Sequence, residues 1–285
     1  MTEQERAKID LVLSTSFFEP DRLVRAVPTI REGGFGRLEV VDRPLFEDRP
    51  GVITDLARAS RDVGVEIPNW HLVMVSPFQQ TPAESRLAID RVKRSMDRGY
   101  CLGARNHVVH WYQRFRDPRR NDLWRAVVDE WVASAAAMKV RLLMETPPDK
   151  PGNERYVPST EVGDFVRDYP AEVLSFCIDV NHSNLKENLA DVVHVLKDRL
   201  VTLHVSDNDG KSEKHWLPGQ GVIDFPSLFQ ALTAIDFCGM AVLEVDPWCA
   251  QAETLPELKK LHDFCRWLLK NKTPHPATPA PARGP

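Results

Sequence analysis

The segment "LVTLHVSDNDG" (200–210) is an apolar, β-branched run that ends in a cluster of polar side chains. A strand that buries Leu, Val and Thr has no structural need for a histidine at its end, yet His204 lies there. Three other apolar runs end in a carboxylate: Glu145, Asp179 and Glu244. Two glutamates, one aspartate and one histidine form an oxygen-rich ligand set that suits a divalent cation such as Mn²⁺, Mg²⁺, Co²⁺, Fe²⁺ or Zn²⁺. Because buried carboxylates must be paired or bind cations, we predict a divalent metal site at these four residues.

Histidines follow the same pattern. The chain has nine of them, and five lie at the end of an apolar run or in the loop that follows one: His71, His110, His182, His204 and His215. Chance scatter would not concentrate them in this way. We therefore predict that the other four line the same site as His204, either as contacts to a substrate or, together with Glu213, as further metal ligands.

Residues so far apart in sequence need a fold that brings strand ends together. Strand-like runs alternate with amphipathic, helix-like segments such as 82–104 and 121–138. This alternation predicts parallel strands joined by helices, and eight repeats of roughly 30 residues favour a single (β/α)8 TIM barrel. A doubly wound open sheet is the alternative, but the first turn, "STSFFEPDR", lacks the glycines typical of it. The predicted strands are 9–16, 37–42, 65–72, 106–111, 140–146, 174–182, 200–207 and 240–246.

Length and composition agree with one such domain. We assign residues 1–272 to the barrel and 273–285, which is rich in Pro and Ala, to a disordered tail. The five cysteines are scattered and form no CxxC pair, which indicates a reduced, cytoplasmic protein. The amino terminus has neither a signal peptide nor an apolar run long enough for a membrane span.

The motifs at these strand ends identify a family. "METP", "CIDVNH", "LHVSDNDG" and "HWLPGQGVIDFPSLFQAL" with "FCGMAVLEVDP" resemble the xylose-isomerase-like barrels, the superfamily of sugar isomerases and epimerases that also includes endonucleases. The resemblance runs over nearly the whole chain. It implies one divalent ion held by Glu145, Asp179, His204 and Glu244, with Glu145 and Glu244 as the acid/base pair. It also implies that His182 binds a substrate hydroxyl or stabilises the intermediate.

The chemistry of an isomerase or epimerase fits these residues. A metal that chelates a carbonyl and the neighbouring hydroxyl lowers the energy of an enediolate, and a carboxylate on each side of the sugar takes and returns the proton. A small sugar, ketose, cyclitol or related hydroxy-carbonyl compound is the expected substrate, and a dehydratase or lyase with the same site is an alternative. Two positions depart from the family. Gln220 replaces a common Glu, and Gly210 stands where some ketose epimerases carry an Arg, which argues against a conventional free-ketose 3-epimerase.

A second branch of the superfamily remains a rival. Type IV apurinic endonucleases use three metal ions, and the resemblance places their additional ligands at His71, His110, His182, Glu213 and His215. The net charge of -4 argues against nucleic acid as a partner. A loop with Arg114, Arg116, Arg119 and Arg120 is the exception. We predict a small polyhydroxy substrate and no membrane partner, and leave open a homodimer and a barrel whose site has lost its activity.

Overall fold

A computed structural model describes residues 9–16, 18–75, 81–110, 117–148, 156–245 and 255–271. The tail predicted at 273–285 lies outside these ranges, as do Arg114 and Arg116 of the basic loop.

Eight parallel strands close into a barrel in which each strand pairs with the next along the chain and the last pairs with the first. The closed barrel confirms the predicted (β/α)8 fold and excludes the open doubly wound sheet, which would leave two unpaired edges. The strands are β1 (Asp10–Ser14), β2 (Arg37–Val41), β3 (Glu66–His71), β4 (Asn106–Val109), β5 (Arg141–Glu145), β6 (Leu174–Asp179), β7 (Leu200–Val205) and β8 (Met240–Leu243).

Helices connect the strands and cover the outside of the barrel. They are α1 (Pro20–Glu32), α2 (Pro44–Asp48), α3 (Gly51–Val63), α4 (Pro82–Cys101), α5 (Pro118–Met138), α6 (Ser159–Arg167), α7 (Val180–Ser183), α8 (Leu189–Leu196), α9 (Phe225–Ala234) and α10 (Leu255–Asn271). Helix α4 begins with a capping box between Thr81 and Glu84 and buries Ala88, Val92 and Met96 on one face. Within the described residues, no helix combines the length and the apolar content needed to cross a membrane.

Two predicted boundaries differ from the structure for local reasons. The run 174–182 was predicted as one strand, but β6 ends at Asp179, because the Asp179 side chain accepts hydrogen bonds from the backbone N–H groups of Asn181 and His182 and starts the short helix α7. Helix α5 begins at Pro118 rather than at residue 121, since Asp117 caps it and proline is well tolerated in the first turn.

The apolar core has two parts. The larger part lies between the barrel and its helices and includes the fully buried rings of Trp70, Trp131 and Phe176. A small separate cluster of Val108, Leu143 and Cys177 lies inside the barrel. Leu143 and Glu145 share a strand face because side chains alternate along a strand. On β5 the inner face therefore changes from apolar at Leu143 to polar at Glu145, towards the carboxyl end of the strand.

One buried histidine belongs to the core and not to the site. His107 precedes Val108 on β4, so it faces the helices, and its side chain is fully buried. Burial lowers the pKa of His107 to about 4, since the charged imidazolium loses its hydration.

This shift predicts a loss of stability in acid. The folded-state pKa lies below the unfolded value near 6.5, so the contribution of His107 is fully present above pH 6.5 and is lost as the pH falls towards 4. The free energy of unfolding should fall by about 3 kcal/mol over this window from His107 alone. Urea unfolding of His107→Leu at pH 7 and at pH 4.5 should show a smaller difference than the wild type. The control His194→Gln, at an exposed position of α8, should show the wild-type difference; an equal pH dependence in His107→Leu would contradict the assignment.

Candidate metal centre and active site

The carboxyl ends of β5 to β8 bring the four predicted ligands into one group. Glu145 and Asp179 are the last residues of β5 and β6, His204 is the fifth residue of β7, and Glu244 directly follows β8. One potential ligand atom of each lies within 4.8 Å of the others. Since divalent ions bind oxygen and nitrogen at about 2.0–2.6 Å, two ligand atoms of one ion are at most about 5 Å apart. The spacing therefore fits a single ion.

His204 lies at the centre of this group. Its Nδ1 is 2.9 Å from Glu145 Oε1 and 2.9 Å from Glu244 Oε2, while Asp179 Oδ2 lies at 4.0 Å. The pairing of β6 and β7 places Asp179 directly beside His204. Three carboxylates thus converge on the same ring nitrogen.

Histidines balance the charges of these carboxylates. Among the described residues, every ion-pair partner of Glu145, Asp179 and Glu244 is a histidine. Asp179 Oδ2 is buried and accepts no hydrogen bond from a described residue. A divalent cation would supply the missing positive charge and occupy this oxygen, so the residues present fit a metal ion.

The pKa values of these residues also shift because the carboxylates and histidines are buried close together. Burial raises the pKa of Asp179 to about 6, and His182 only partly offsets this. Burial alone would raise the pKa values of Glu145 and Glu244. His110 and His204 nevertheless hold the pKa of Glu145 below its usual value. His204 does the same for the pKa of Glu244. Burial alone would lower the pKa of His204, which Cys177 and the surrounding carboxylates instead raise well above its usual value. These opposite shifts show that the imidazole of His204 and the carboxylates around it interact strongly with one another.

Glu145 also faces a second pair of histidines. Its Oε1 points to His204, and its Oε2 contacts His110 Nε2 and lies 3.9 Å from His71 Nε2. His71 Nδ1 lies 3.3 Å from the carbonyl oxygen of Leu72, so Nδ1 donates and Nε2 is left to face Glu145. Burial and the nearby His110 lower the pKa of His71. Glu145 is therefore placed to bridge two groups of ligands.

His182, Glu213 and His215 form another group whose potential ligand atoms lie within 4.8 Å of one another. His182 Nδ1 donates to the carbonyl of Thr146 at 3.0 Å and His215 Nδ1 to that of Glu244 at 3.2 Å. Both Nε2 atoms are thereby left to face Glu213 Oε1, at 3.6 and 2.9 Å. Burial lowers both histidine pKa values, but the neighbouring carboxylates, chiefly Asp179 for His182 and Glu213 for His215, raise them overall, to about 9 and about 10.

Asp207, which lies in the same segment as His204, binds the loop that carries Glu213 and His215. The fully buried Asp207 accepts hydrogen bonds from the backbone N–H groups of Gly219, Gly221 and Ile223 and of its neighbour Asn208. Asp207 also pairs with Trp216 through two backbone hydrogen bonds. Asp207 is thus occupied by the backbone and is not a ligand, whereas His204 faces the site.

Gly221 is tightly packed in this loop, which gives a testable prediction. A Cβ at this position would lie 2.0 Å from the backbone oxygen of Asn208 and 2.4 Å from Asp207 Oδ1. Gly221→Ala should therefore lower the free energy of unfolding by about 1–3 kcal/mol, measured by urea denaturation. The matched control is Gly51→Ala, where an added Cβ meets nothing within 4 Å. Equal stabilities of the two variants would show that the loop adapts freely.

One buried carboxylate, Glu39, was not among the residues predicted from the sequence. Glu39 lies within β2, is fully buried, and its Oε1 lies 3.0 Å from His204 Nε2. The signal was present, since in "RLEVV" a lone glutamate interrupts a run of buried apolar residues, but nothing in the sequence indicated its partner across the barrel.

Comparisons with known proteins agree with the fold. Residues 28–268 match the family described as xylose isomerase-like TIM barrels. An uncharacterized protein of Methanocaldococcus jannaschii is 23% identical over 248 residues, which cover 81% of this chain and 82% of that protein. D-psicose 3-epimerase of Enterocloster bolteae is 32% identical over 115 residues, which cover 39% of this chain and 36% of the epimerase. The crystal structure of a D-tagatose 3-epimerase-like protein superposes with a TM-score of 0.77 at 19% identity, covering 93% of this chain and 98% of that one.

Proposed function

Because the chain belongs to the family of xylose isomerase-like TIM barrels, we propose that it is a divalent-metal-dependent epimerase or isomerase of a small sugar or a related hydroxy-carbonyl compound. The observation that carries the proposal is the placement of two glutamates, Glu145 and Glu244, at 2.9 Å from the same nitrogen of His204. The similarity of part of the chain to D-psicose 3-epimerase supports a small sugar as substrate.

Glu145, Asp179, His204 and Glu244 would hold the metal ion. When bound, the ion polarises the substrate carbonyl and so acidifies the neighbouring C–H bond. Glu145 and Glu244 then do the proton transfer: one takes the proton from one face of the carbon, and the other returns a proton to the opposite face. Their exchange of roles allows the reaction to run in both directions.

The two glutamates differ in access to the substrate. The side chain of Glu244 keeps 15% of its surface exposed and that of Glu145 only 2%. Glu244 therefore lies nearer to the open mouth of the barrel. His182, with Nδ1 engaged by Thr146, would present Nε2 to a substrate hydroxyl, and His71, His110 and His215 would complete the polar wall of the site.

A second candidate function rests on a specific observation. Glu145 is placed to bridge His204 to the pair His71 and His110, and His182, Glu213 and His215 form a further metal-sized group. A cluster of metal ions suits phosphodiester hydrolysis, as in the endonuclease branch. The number of bound ions distinguishes this hypothesis from the epimerase.

The test combines metal content with two assays. Protein purified without chelators should contain about one divalent ion per chain by elemental mass spectrometry. Incubation with ketoses, inososes and their phosphates in D₂O should incorporate deuterium at the epimerised carbon, measured by NMR. Two or three ions per chain, with cleavage of DNA at abasic sites and no deuterium incorporation, would overturn the proposal in favour of the second candidate.

A further inference from the structure

Glu39 is a buried carboxylate that the four-ligand site does not use. It lies on β2 with no exposed surface. His204 Nε2 lies 3.0 Å from its Oε1 and 3.3 Å from its Oε2, and Asn69 Nδ2 donates to Oε2 at 3.2 Å. Within the described part of the chain, His204 is the only residue that forms an ion pair with Glu39. Burial of a carboxylate is strongly unfavourable unless partners compensate its charge, so the position of Glu39 calls for an explanation.

The orientation of the His204 imidazole explains why a carboxylate lies at this position. Glu39 approaches Nε2, whereas Glu145 and Glu244 approach Nδ1, at the opposite edge of the ring. To bind a cation at the four-ligand site, Nδ1 must present its lone pair, and the single remaining ring proton must then lie on Nε2. The Nε2–H group then donates a hydrogen bond to Glu39, and Asn69 Nδ2 donates a second one to Glu39 Oε2.

We propose that Glu39 is a positioning residue that fixes the tautomer and the orientation of His204 as a metal ligand; this inference rests on the metal site of the proposed function. A carboxylate on the distal nitrogen of a metal-bound histidine orients the ring and makes the other nitrogen a stronger donor to the cation. Glu39 itself is not a ligand, because the ring of His204 separates it from the centre formed by Glu145, Asp179 and Glu244.

Asn69, on β3, links Glu39 to β4 through hydrogen bonds. Its amide group donates to Glu39 and its Oδ1 accepts from Asn106 Nδ2 at 3.2 Å. The three residues lie on β2, β3 and β4, so a chain of hydrogen bonds inside the barrel runs from β4 to the ligand on β7. The half of the barrel that supplies none of the four ligands, β1 to β4, thus contacts one of them.

The experiment measures Co²⁺ binding by the full chain, independently of any sugar. Glu39→Gln keeps the size and removes the charge, and we expect its Co²⁺ affinity, measured by competition with a chelator, to fall by about 10- to 100-fold. In the Co²⁺-loaded wild type, proton NMR should show a shifted, slowly exchanging imidazole N–H from His204. This resonance should move and exchange faster with solvent in Glu39→Gln, an effect that a loss of stability alone would not produce.

The matched control is Asp42→Asn. Asp42 is also a buried carboxylate near the end of β2, but it pairs with Ser95 and Arg98, away from His204. The control should keep the wild-type affinity and N–H resonance. If Glu39→Gln does not fold, Glu39→Asp takes its place, with a smaller expected loss of affinity but the same displaced N–H resonance.

Three results would overturn the inference: an affinity of the Glu39 variant within 3-fold of the wild type, an unchanged N–H resonance, or an equal loss in Asp42→Asn. A wild type that binds no Co²⁺ would overturn it together with the metal site. A wild type that binds Co²⁺ through Glu39-supported His204 but epimerises no sugar would leave the inference standing and reject only the proposed function.

Discussion

Glu145→Gln and Glu244→Gln should each lower kcat on the sugar substrate by about 10²- to 10⁴-fold, the usual contribution of a positioned acid or base. Both carboxylates face the same nitrogen of His204 at 2.9 Å, so both border the place where the substrate carbonyl would lie. Glutamine keeps the size and one potential oxygen ligand but cannot take up a proton. The measurement is kcat at saturating Co²⁺ or Mn²⁺, with metal content determined on the same samples.

The control for these two variants is Glu130→Gln. Glu130 is an exposed residue of α5 that pairs with Lys93, and its replacement should leave kcat unchanged. Unchanged turnover in metal-loaded Glu145→Gln or Glu244→Gln would show that the proton transfer uses other groups. Deuterium incorporation without net epimerisation in only one of the variants would assign that glutamate to the return of the proton.

His204→Ala should have the second large effect, on both metal binding and folding. The substitution removes the nitrogen ligand, and we expect the affinity for a divalent ion to fall by at least about 100-fold, more than for a supporting residue. Without metal it leaves Glu39, Glu145 and Glu244 facing one another around a cavity. Breaking a buried ion pair by removal of one partner costs about 3–5 kcal/mol, which urea unfolding of the metal-free protein should show.

Metal affinity and the free energy of unfolding of His204→Ala each test this prediction. Full metal affinity in His204→Ala would reject the ligand assignment, and an unchanged free energy of unfolding would reject the role of His204 as the counter-charge of these carboxylates. His194→Ala, at an exposed position of α8, serves as the control and should leave the affinity unchanged.

Much of this arrangement was predictable because it follows from local patterns. Leu143 and Glu145, Thr202 and His204, and Val242 and Glu244 are two residues apart, so each pair shares a face of its strand. In a parallel barrel the carboxyl ends of all strands meet at one mouth. The polar residues that end β5 to β8 therefore had to lie near one another once the fold was recognised, and the structure places them within 4.8 Å.

Other features depended on contacts between distant segments. Asp207 belongs to the same polar cluster as His204 in sequence, yet one binds backbone N–H groups and the other faces the site. The pattern of residue types could not separate these roles, because both are polar residues at the end of one strand. Only the return of the loop to Asp207, through Gly219 and Gly221, decides which side chain remains available.

Strand periodicity and residue type were sufficient to predict the barrel, the mouth of the barrel where the candidate site lies and the four residues that could hold a cation. Contacts between distant strands set how Glu145 divides its two oxygens between His204 and the pair His71 and His110, and they place Glu39 against Nε2 of His204. Glu39 and His204 are 165 residues apart, and their contact exists only because the barrel closes. Hydrogen bonds act over about 3 Å, so such pairings are set by three-dimensional position and not by spacing along the chain.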